Sequence, residues 1–277
     1  MDFLQRITSC SSDEVEQLVN ERIDELNSEA ITEDLGVFMG GVLRKPHQGF
    51  ISLDSRIKFC STFGLGVESY NMNSRDYLIE FCRFLNNNHI NNNNGIIRNL
   101  ASYADWYFGG LQSHDDYRGD YLTSLCHLDE DGFPDEEDVK NISIDKLRNK
   151  GIAQCTEKAA ITQNILSLFG IDSYYCCGAL NVGDNSEFHS FNIVRSQDGY
   201  RILDTSRPIV GYHNEQEYFR RPYASRVLTE EEFSAVLQGE QIFECTDYEV
   251  RDGKRVDIGT RRYGVNYTDE ALKSSSK

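Results

Sequence analysis

The residues at 151–204 change from a helical to a strand pattern in an order that restricts the possible folds. A helical pattern covers 156–169, with apolar residues at steps of three and four on one face, and Gly170 ends it. Three short strand-like runs follow, of which the second contains His189 and the third ends at Asp204. This order predicts an α+β fold in which the helix packs on an antiparallel sheet.

Three side chains in this segment have the chemistry of a nucleophilic site. Cys155 opens the helix, where unpaired backbone N–H groups and the positive end of the helix dipole favour a thiolate over a thiol. The imidazole of His189 can act as the base, and the carboxylate of Asp204 can orient that imidazole. The sequence therefore predicts Cys155, His189 and Asp204 as nucleophile, base and orienting residue.

Whether His189 and Asp204 can meet depends on the turn at 196–199, which joins their two strands. A loop of two or four residues directs both side chains to one face of the sheet, because side chains alternate along a strand. A loop of three residues directs them to opposite faces. We expect the same-face arrangement, in which the two side chains reach each other across a diagonal pair.

Each of these residues also has a structural interpretation. A cysteine in an apolar helix is usually part of the core, and a single histidine is more often a surface or core residue than a base. Asp204 could cap the turn before Pro208 instead of orienting a histidine. The catalytic interpretation of Cys155 is favoured because its sequence neighbours are polar, and because its partners follow in order and spacing.

The reaction that such a triad supports is acyl transfer through a thioester. The backbone N–H of Cys155 is one expected donor to the oxyanion, and a second donor is expected from an upstream side chain. The candidates for that second donor are Gln154, Trp106 and Tyr103. The acyl-enzyme can react with water or with an amine, and hydrolysis of a peptide or side-chain amide bond is slightly favoured over amine transfer.

Several short motifs accompany the three residues. The stretch 166–171 is Leu-Ser-Leu-Phe-Gly-Ile, 189–191 is His-Ser-Phe, and Gln154 precedes the cysteine. With the order of helix and strands, these motifs resemble the core of the transglutaminase-like superfamily of papain-like cysteine enzymes, over about a fifth of the chain. The sequence departs from that family at Phe191, where tryptophan is common, and at 204–206, where Asp-Thr-Ser replaces Asp-Pro-Thr.

The resemblance implies a cysteine-proteinase fold with Cys155, His189 and Asp204 as the triad of a cysteine hydrolase or acyltransferase. Cross-linking by a protein-glutamine transglutaminase and a non-catalytic binding module on the same fold remain alternatives. Inactive members of the superfamily usually lack the cysteine or the histidine, whereas this chain has all three residues. Arylamine acetyltransferases have a similar triad, but usually with Arg-Gly-Gly before the cysteine, where this chain has Gly-Ile-Ala at 151–153.

Cysteine usage indicates a reduced protein without a bound metal. The eight cysteines contain no C-x-x-C pair, so we expect no structural zinc, no cofactor and no disulfide framework. This also separates the chain from the zinc-binding peptide N-glycanase branch of the superfamily. The acidic stretch at 129–138 resembles part of an EF-hand loop, but the first ligand position would be His127 and the last Asp138, which fits calcium poorly, and a solvated acidic loop is favoured.

Charge and hydropathy limit the partners and the location. The net charge of −17 argues against nucleic acid or an anionic membrane as the main partner, and we expect a protein or peptide substrate. No signal peptide or membrane-spanning run is recognisable, so a cytoplasmic location is expected, with export by another route left open. The sequence leaves the oligomeric state open.

The chain is expected to have three parts: an N-terminal mainly helical region at 1–94, a transglutaminase-like catalytic domain at 95–267, and a frayed tail at 268–277. The boundary follows an asparagine-rich tract at 86–94, which is typical of a surface loop. Further helices are predicted at 14–27, 74–85, 96–109 and 229–239, and a β-hairpin is predicted at 241–265.

Overall fold

The fold is given by a computed structural model, which describes residues 2–36, 46–58, 69–110, 115–183, 185–238 and 242–264. Within these ranges the chain forms eight α-helices and ten β-strands, so the predicted α+β class is confirmed. The helices are α1 (Phe3–Ser9), α2 (Ser12–Glu29), α3 (Asp76–Asn87), α4 (Asn93–Phe108), α5 (Asp115–Thr123), α6 (Glu136–Asn141), α7 (Cys155–Leu168) and α8 (Glu230–Gln238). The strands are β1 (Asp34–Gly36), β2 (His47–Gln48), β3 (Arg56–Lys58), β4 (Ser69–Asn71), β5 (Ser173–Val182), β6 (Asn185–Ser196), β7 (Gly199–His213), β8 (Gln216–Ala224), β9 (Ile242–Arg251) and β10 (Lys254–Gly264). None of the helices in the described ranges combines the length and the apolar composition that crossing a bilayer requires.

The four N-terminal helices pack against one another and against α7. The helix α2 begins with a capping box, in which the backbone N–H of Ser11 donates to the Glu14 carboxylate over 2.8 Å. One hydrophobic core contains side chains from α1 to α4 and from α7, so it extends across the asparagine-rich tract. The domain boundary after residue 94 stays a prediction, and the tail at 268–277 lies outside the described residues.

The helix α7 is buried along its length, although its sequence predicts only one apolar face. All of its residues after Cys155 are buried. Polar side chains on the second face pair with backbone groups: Asn164 exchanges two hydrogen bonds with Ile51, at 2.6 and 3.1 Å, and Gln163 donates to the Gly49 carbonyl oxygen over 2.8 Å. The N-terminal helices cover one face and strands β5 to β7 cover the other, which places α7 between two layers.

The large sheet curls until its edges meet. Its strand order is β10-β9-β7-β6-β5-β2, with β8 paired to β7. Because β10 pairs with β9 on one side and with β5 on the other, the strands β5, β6, β7, β9 and β10 form a closed ring. Neighbouring strands are antiparallel, except for a short parallel contact between Gly211 of β7 and Val250 of β9. The interior of the ring is a second hydrophobic core, which includes Phe191, Ile193, Ile202, Phe243 and Tyr263.

Turn chemistry explains which hairpins are predictable. The strands β6 and β7 join through a two-residue loop within 196–199, and β9 and β10 join through a two-residue loop within 251–254, as predicted. The strand β8 is not predicted from the sequence. It follows a turn at 214–215, where asparagine and glutamate adopt φ angles of 49° and 66° without the glycine that usually marks such a turn.

Candidate active site

His189 and Asp204 form a buried pair inside the ring of strands. The two-residue loop keeps both side chains on one face, so the predicted same-face arrangement is confirmed. The Nε2 atom of His189 lies 2.8 Å from Oδ2 of Asp204, and the two residues are 3% and 0% exposed. Since a carboxylate only accepts, Nε2 of His189 is the donor in this contact.

Cys155 is the first residue of α7 and lies beside this pair. Cys155 is half-buried, in contrast to His189 and Asp204, which are buried. The sulfur is 4.0 Å from the carbonyl oxygen of Phe188, accepts a hydrogen bond from the backbone N–H of Ser190 and interacts with the His189 ring. The start of α7 and the strand β6 therefore bring thiol and imidazole together.

The charges of the site favour a thiolate–imidazolium pair. Burial alone raises the pKa of Cys155, but the charge and hydrogen bond of His189 and the N–H of Ser190 outweigh it, and the pKa is lowered. Burial alone lowers the pKa of His189, but the charges of Asp204 and Cys155 raise it to about 10. Both shifts stabilise the ion pair relative to the neutral thiol and imidazole.

Asp204 both orients the histidine and caps a local turn. Its Oδ1 atom accepts the backbone N–H groups of Ser206 and Arg207, each at 3.0 Å. Its Oδ2 atom accepts from His189 and from the hydroxyl of Tyr263, the latter at 2.7 Å. Burial alone raises the pKa of this carboxyl, but the charge and hydrogen bond of His189, the charge of Arg261 and the hydrogen bond from Tyr263 hold the pKa well below its usual range. One oxygen of Asp204 therefore contacts His189, and the other caps the turn.

The start of α7 is held by a buried ion pair. Arg118 of α5 donates to the Glu157 carboxylate through Nη2 and to the Ile152 carbonyl oxygen through Nη1, the latter over 2.8 Å. Glu157 also accepts the backbone N–H of Gln154, at 2.9 Å, and so caps the helix. The polar sequence neighbours that favour the catalytic interpretation of Cys155 are themselves largely removed from solvent. Glu157 and Lys158 are both buried, because each forms an ion pair with a residue of another helix.

The three candidate oxyanion donors lie in different places. Gln154 is half-buried at the N-cap of α7, directly before Cys155. Tyr103 is buried, and its hydroxyl donates to the carbonyl oxygen of Tyr77 over 2.5 Å. Trp106 is 59% exposed and lines a groove of about 620 Å³ between α3 and α4, which no triad residue lines. Of the three candidates, Gln154 is the one that the structure brings beside Cys155.

The acidic stretch at 129–138 is organised as turns. The Oδ1 atom of Asp129 accepts the backbone N–H groups of Asp131 and Phe133, at 3.0 and 2.8 Å, and Asp135 caps α6. In the part of the chain that the structure describes, no group of three His, Cys, Asp or Glu side chains is arranged to hold a metal ion.

Two residues of β10 belong to the site and are not predicted from the sequence. Tyr263 donates to Asp204, and Arg261 donates to the Tyr263 hydroxyl over 3.2 Å. Both side chains are buried. The sequence of β10 carries a partial signal for them. An arginine and a tyrosine two positions apart on a strand share one face, and an arginine on a buried face requires an acceptor or an anion. The identity of that anion is not readable, because the contact crosses the interior of the closed ring.

No protein-family model matches this chain, and neither a curated protein nor a solved structure matches it. The chemistry of the Cys155 site is therefore inferred from its own geometry and charges. A thiol of lowered pKa, a buried imidazole and a buried carboxylate can together carry out acyl transfer.

Proposed function

We propose that this protein is a cysteine-dependent acyl-transfer enzyme with a transglutaminase-like core, which hydrolyses peptide or side-chain amide bonds. The observation that carries the proposal is the 2.8 Å contact between His189 and Asp204, with the half-buried Cys155 thiol against the same imidazole. Burial raises the pKa of the Cys82 and Cys176 thiols, whereas at Cys155 the charge of His189 outweighs burial. A nucleophile requires this lowered pKa together with access for a substrate.

The order of elements supports the family assignment in the proposal. The cysteine opens a buried helix, the histidine lies on β6, and the aspartate lies on the antiparallel neighbour β7. This is the order that the resemblance of 151–208 implies for a transglutaminase-like core. Phe191 stands where the family commonly has tryptophan. Its aromatic ring still stacks beside the His189 imidazole, at 6.3 Å between ring centres.

The first half-reaction begins when the Cys155 thiolate attacks the carbonyl carbon of an amide and forms a carbon–sulfur bond. The carbonyl electron pair moves to the oxygen, where the backbone N–H of Cys155 and the side chain of Gln154 can stabilise it. As the carbon–nitrogen bond breaks, the imidazolium of His189 gives its proton to the leaving amine. A thioester and a neutral imidazole remain, and Asp204 keeps that imidazole in one tautomer.

The second half-reaction restores the thiolate. Water attacks the thioester while His189 takes one of its protons, the carbon–sulfur bond breaks, and the acid product leaves. A primary amine in place of water gives amine transfer by the same steps. The acceptor therefore decides between hydrolysis and cross-linking.

Acylation by a small activated ester tests this function without knowledge of the natural substrate. Mixed with p-nitrophenyl acetate, the protein should release about one nitrophenolate per chain in a rapid burst, because acylation precedes a slower hydrolysis. Peptide mapping after an acid quench should place the acetyl group on Cys155. The variants Cys155→Ser and His189→Ala should lack the burst, whereas His213→Ala, which alters an exposed histidine, should keep it.

A slow linear release, with acetyl groups spread over several cysteines, would contradict the enzyme proposal and favour a binding module. Added cadaverine, a primary amine, distinguishes amine transfer from hydrolysis. Faster turnover with an acetyl-cadaverine product would indicate amine transfer, whereas turnover that does not respond to the amine would indicate hydrolysis.

A further inference from the structure

Arg261 and Tyr263 of β10 lie directly behind the His189–Asp204 pair. The Tyr263 hydroxyl is 2.7 Å from Oδ2 of Asp204, the oxygen that also accepts from Nε2 of His189. The Nη1 atom of Arg261 is 3.2 Å from the Tyr263 hydroxyl and 3.9 Å from the same Oδ2. We propose that Arg261 and Tyr263 are positioning residues, which hold Asp204 in place and draw part of its negative charge away from His189. This inference rests on the proposed function, because it concerns how readily His189 releases a proton to the leaving group.

The directions of these hydrogen bonds follow from the chemistry of arginine. A guanidinium can only donate, so Arg261 donates to the Tyr263 oxygen. The single proton of the Tyr263 hydroxyl is then directed to Asp204. Burial and the charge of Asp204 raise the pKa of Tyr263, so the hydroxyl keeps this proton. Asp204 Oδ2 therefore has two donors, and it cannot rotate without losing both.

Arg261 is itself fixed from several directions. Its Nη2 atom lies 2.8 Å from a carboxylate oxygen of Asp247 on β9, and its Nη1 atom donates to the carbonyl oxygen of Arg207 over 2.7 Å. The guanidinium carbon lies 4.9 Å from the centre of the Tyr223 ring. A buried arginine held in this way presents its charge to Asp204 without rearrangement.

The charges near His189 set how tightly it holds its proton. Asp204 of β7 and Cys155 of α7 act on His189 directly. The further titratable and charged groups act on those two residues or on their partners: Glu157 of α7, Glu187 of β6, Arg207 of β7, Asp247 of β9, and Arg261 and Tyr263 of β10. The carboxylate of Asp204 and a thiolate at Cys155 favour the imidazolium. A hydrogen bond and a positive charge on the far side of Asp204 weaken its pull on His189, and the imidazolium becomes a stronger acid.

A titration of His189 in the Cys155→Ser protein tests this role apart from the thiol chemistry. In this variant no thiolate acts on the imidazole, so the pKa of His189 depends on Asp204 and on the groups that donate to Asp204. We expect Tyr263→Phe to move the titration midpoint of His189 upward by about one pH unit, a tenfold tighter proton, because Asp204 then directs more of its charge to the imidazole. Arg261→Gln should move the midpoint in the same direction. The midpoints are read from ¹⁵N NMR spectra of histidine-labelled protein.

Tyr223→Phe is the matched control for these variants. It removes another buried tyrosine hydroxyl, on the neighbouring strand β8, one that bonds Cys245 rather than Asp204, and its aromatic ring stacks 6.2 Å from that of Tyr263. Its midpoint should equal that of the parent protein. A Tyr263→Phe midpoint that equals the control, or that moves down, would overturn the inference. If Arg261→Gln does not fold, Tyr263→Phe alone tests the inference, because phenylalanine keeps the aromatic ring and its packing.

The two proposals fail in different experiments. If Tyr263→Phe shifts the midpoint of His189 but the wild-type protein gives no nitrophenolate burst, the proposed function is refuted and the role of Arg261 and Tyr263 stands. A burst in the wild-type protein, with an unshifted midpoint in Tyr263→Phe, would refute the role of Arg261 and Tyr263 alone.

Discussion

At the scale of single residues, the site combines a half-buried cysteine with a fully buried histidine–aspartate pair. Cys155 is half-buried, while His189 and Asp204 are removed from solvent. Because His189 and Asp204 are buried, water screens their charges little, and the charges act strongly on one another. The pKa of His189 is therefore raised to about 10, although burial alone lowers it. Each member of the triad therefore depends on the charge of the next.

Asp204→Asn tests this dependence, since it keeps the shape of the side chain and removes its charge. We expect the rate of the nitrophenolate burst to fall by at least about 100-fold, because His189 loses the carboxylate that fixes its tautomer and supports its charge. Stopped-flow absorbance measures this rate. The control is Asp198→Asn, which alters an exposed carboxylate in the turn between β6 and β7 and should leave the rate unchanged. A wild-type rate in Asp204→Asn would refute the role of that residue.

The contact between His189 and Asp204 is predictable from the sequence because local features fix it. His189 and Asp204 are 15 positions apart, and a two-residue loop sets their register. The contact of Tyr263 with Asp204 joins residues 59 positions apart across the interior of the ring, and no local pattern encodes it. The burial of Glu157 is equally non-local, since it depends on an arginine from α5.

At the scale of elements, the orientation of Cys155 depends on how α7 begins. The Arg118–Glu157 pair that holds this helix start is 3% and 0% exposed. Arg118→Met leaves the Glu157 carboxylate buried without this cation, so we expect the free energy of unfolding to fall by about 3–5 kcal/mol. Denaturation in guanidinium chloride measures the loss. Arg255→Met, which breaks an exposed pair with Asp257, should have little effect.

A second substitution separates the buried charge from the lost packing. The double variant Arg118→Met, Glu157→Gln should recover much of the lost stability, because no charge is left buried and glutamine can still accept the backbone N–H of Gln154. Equal losses in the single and double variants would mean that packing, and not the buried charge, explains the effect.

The predictable elements are those with local caps and a periodic apolar pattern. The helices α2, α3, α4, α7 and α8 and the hairpin of β9 and β10 all lie where the sequence predicts them, with ends that differ by a few residues. The strands β1 to β4 have two or three residues each and pair with distant segments, so their own sequences carry too little signal. The burial of both faces of α7 also depends on distant segments, as the contacts of Asn164 with Ile51 illustrate.

At the scale of the whole molecule, the site depends on closure of the ring of strands. Gly211 of β7 pairs with Val250 of β9, and a Cβ atom at this position would lie 2.3 Å from the ring of Phe219 on β8. We therefore expect Gly211→Ala to lower the free energy of unfolding by about 1–3 kcal/mol. Chemical denaturation measures this loss.

The same substitution in a Phe219→Ala background is the control. There the added methyl group meets no ring, so Gly211→Ala should change the stability little. A loss of the same size in both backgrounds would show that the backbone at Gly211, and not the close approach of Phe219, requires glycine.

The rate of Cys155 alkylation by iodoacetamide, mapped by mass spectrometry from about pH 5 to about pH 9, tests the central claim most directly. Cys126 is the internal reference, because burial and the nearby acidic side chains raise its pKa. Cys155 should react rapidly below about pH 7, where Cys126 is still protonated, and His189→Ala should slow Cys155 to the rate of the reference. If Cys155 instead follows Cys126 across the whole range, in the wild-type protein and in His189→Ala alike, Cys155 is an ordinary thiol and the account is wrong.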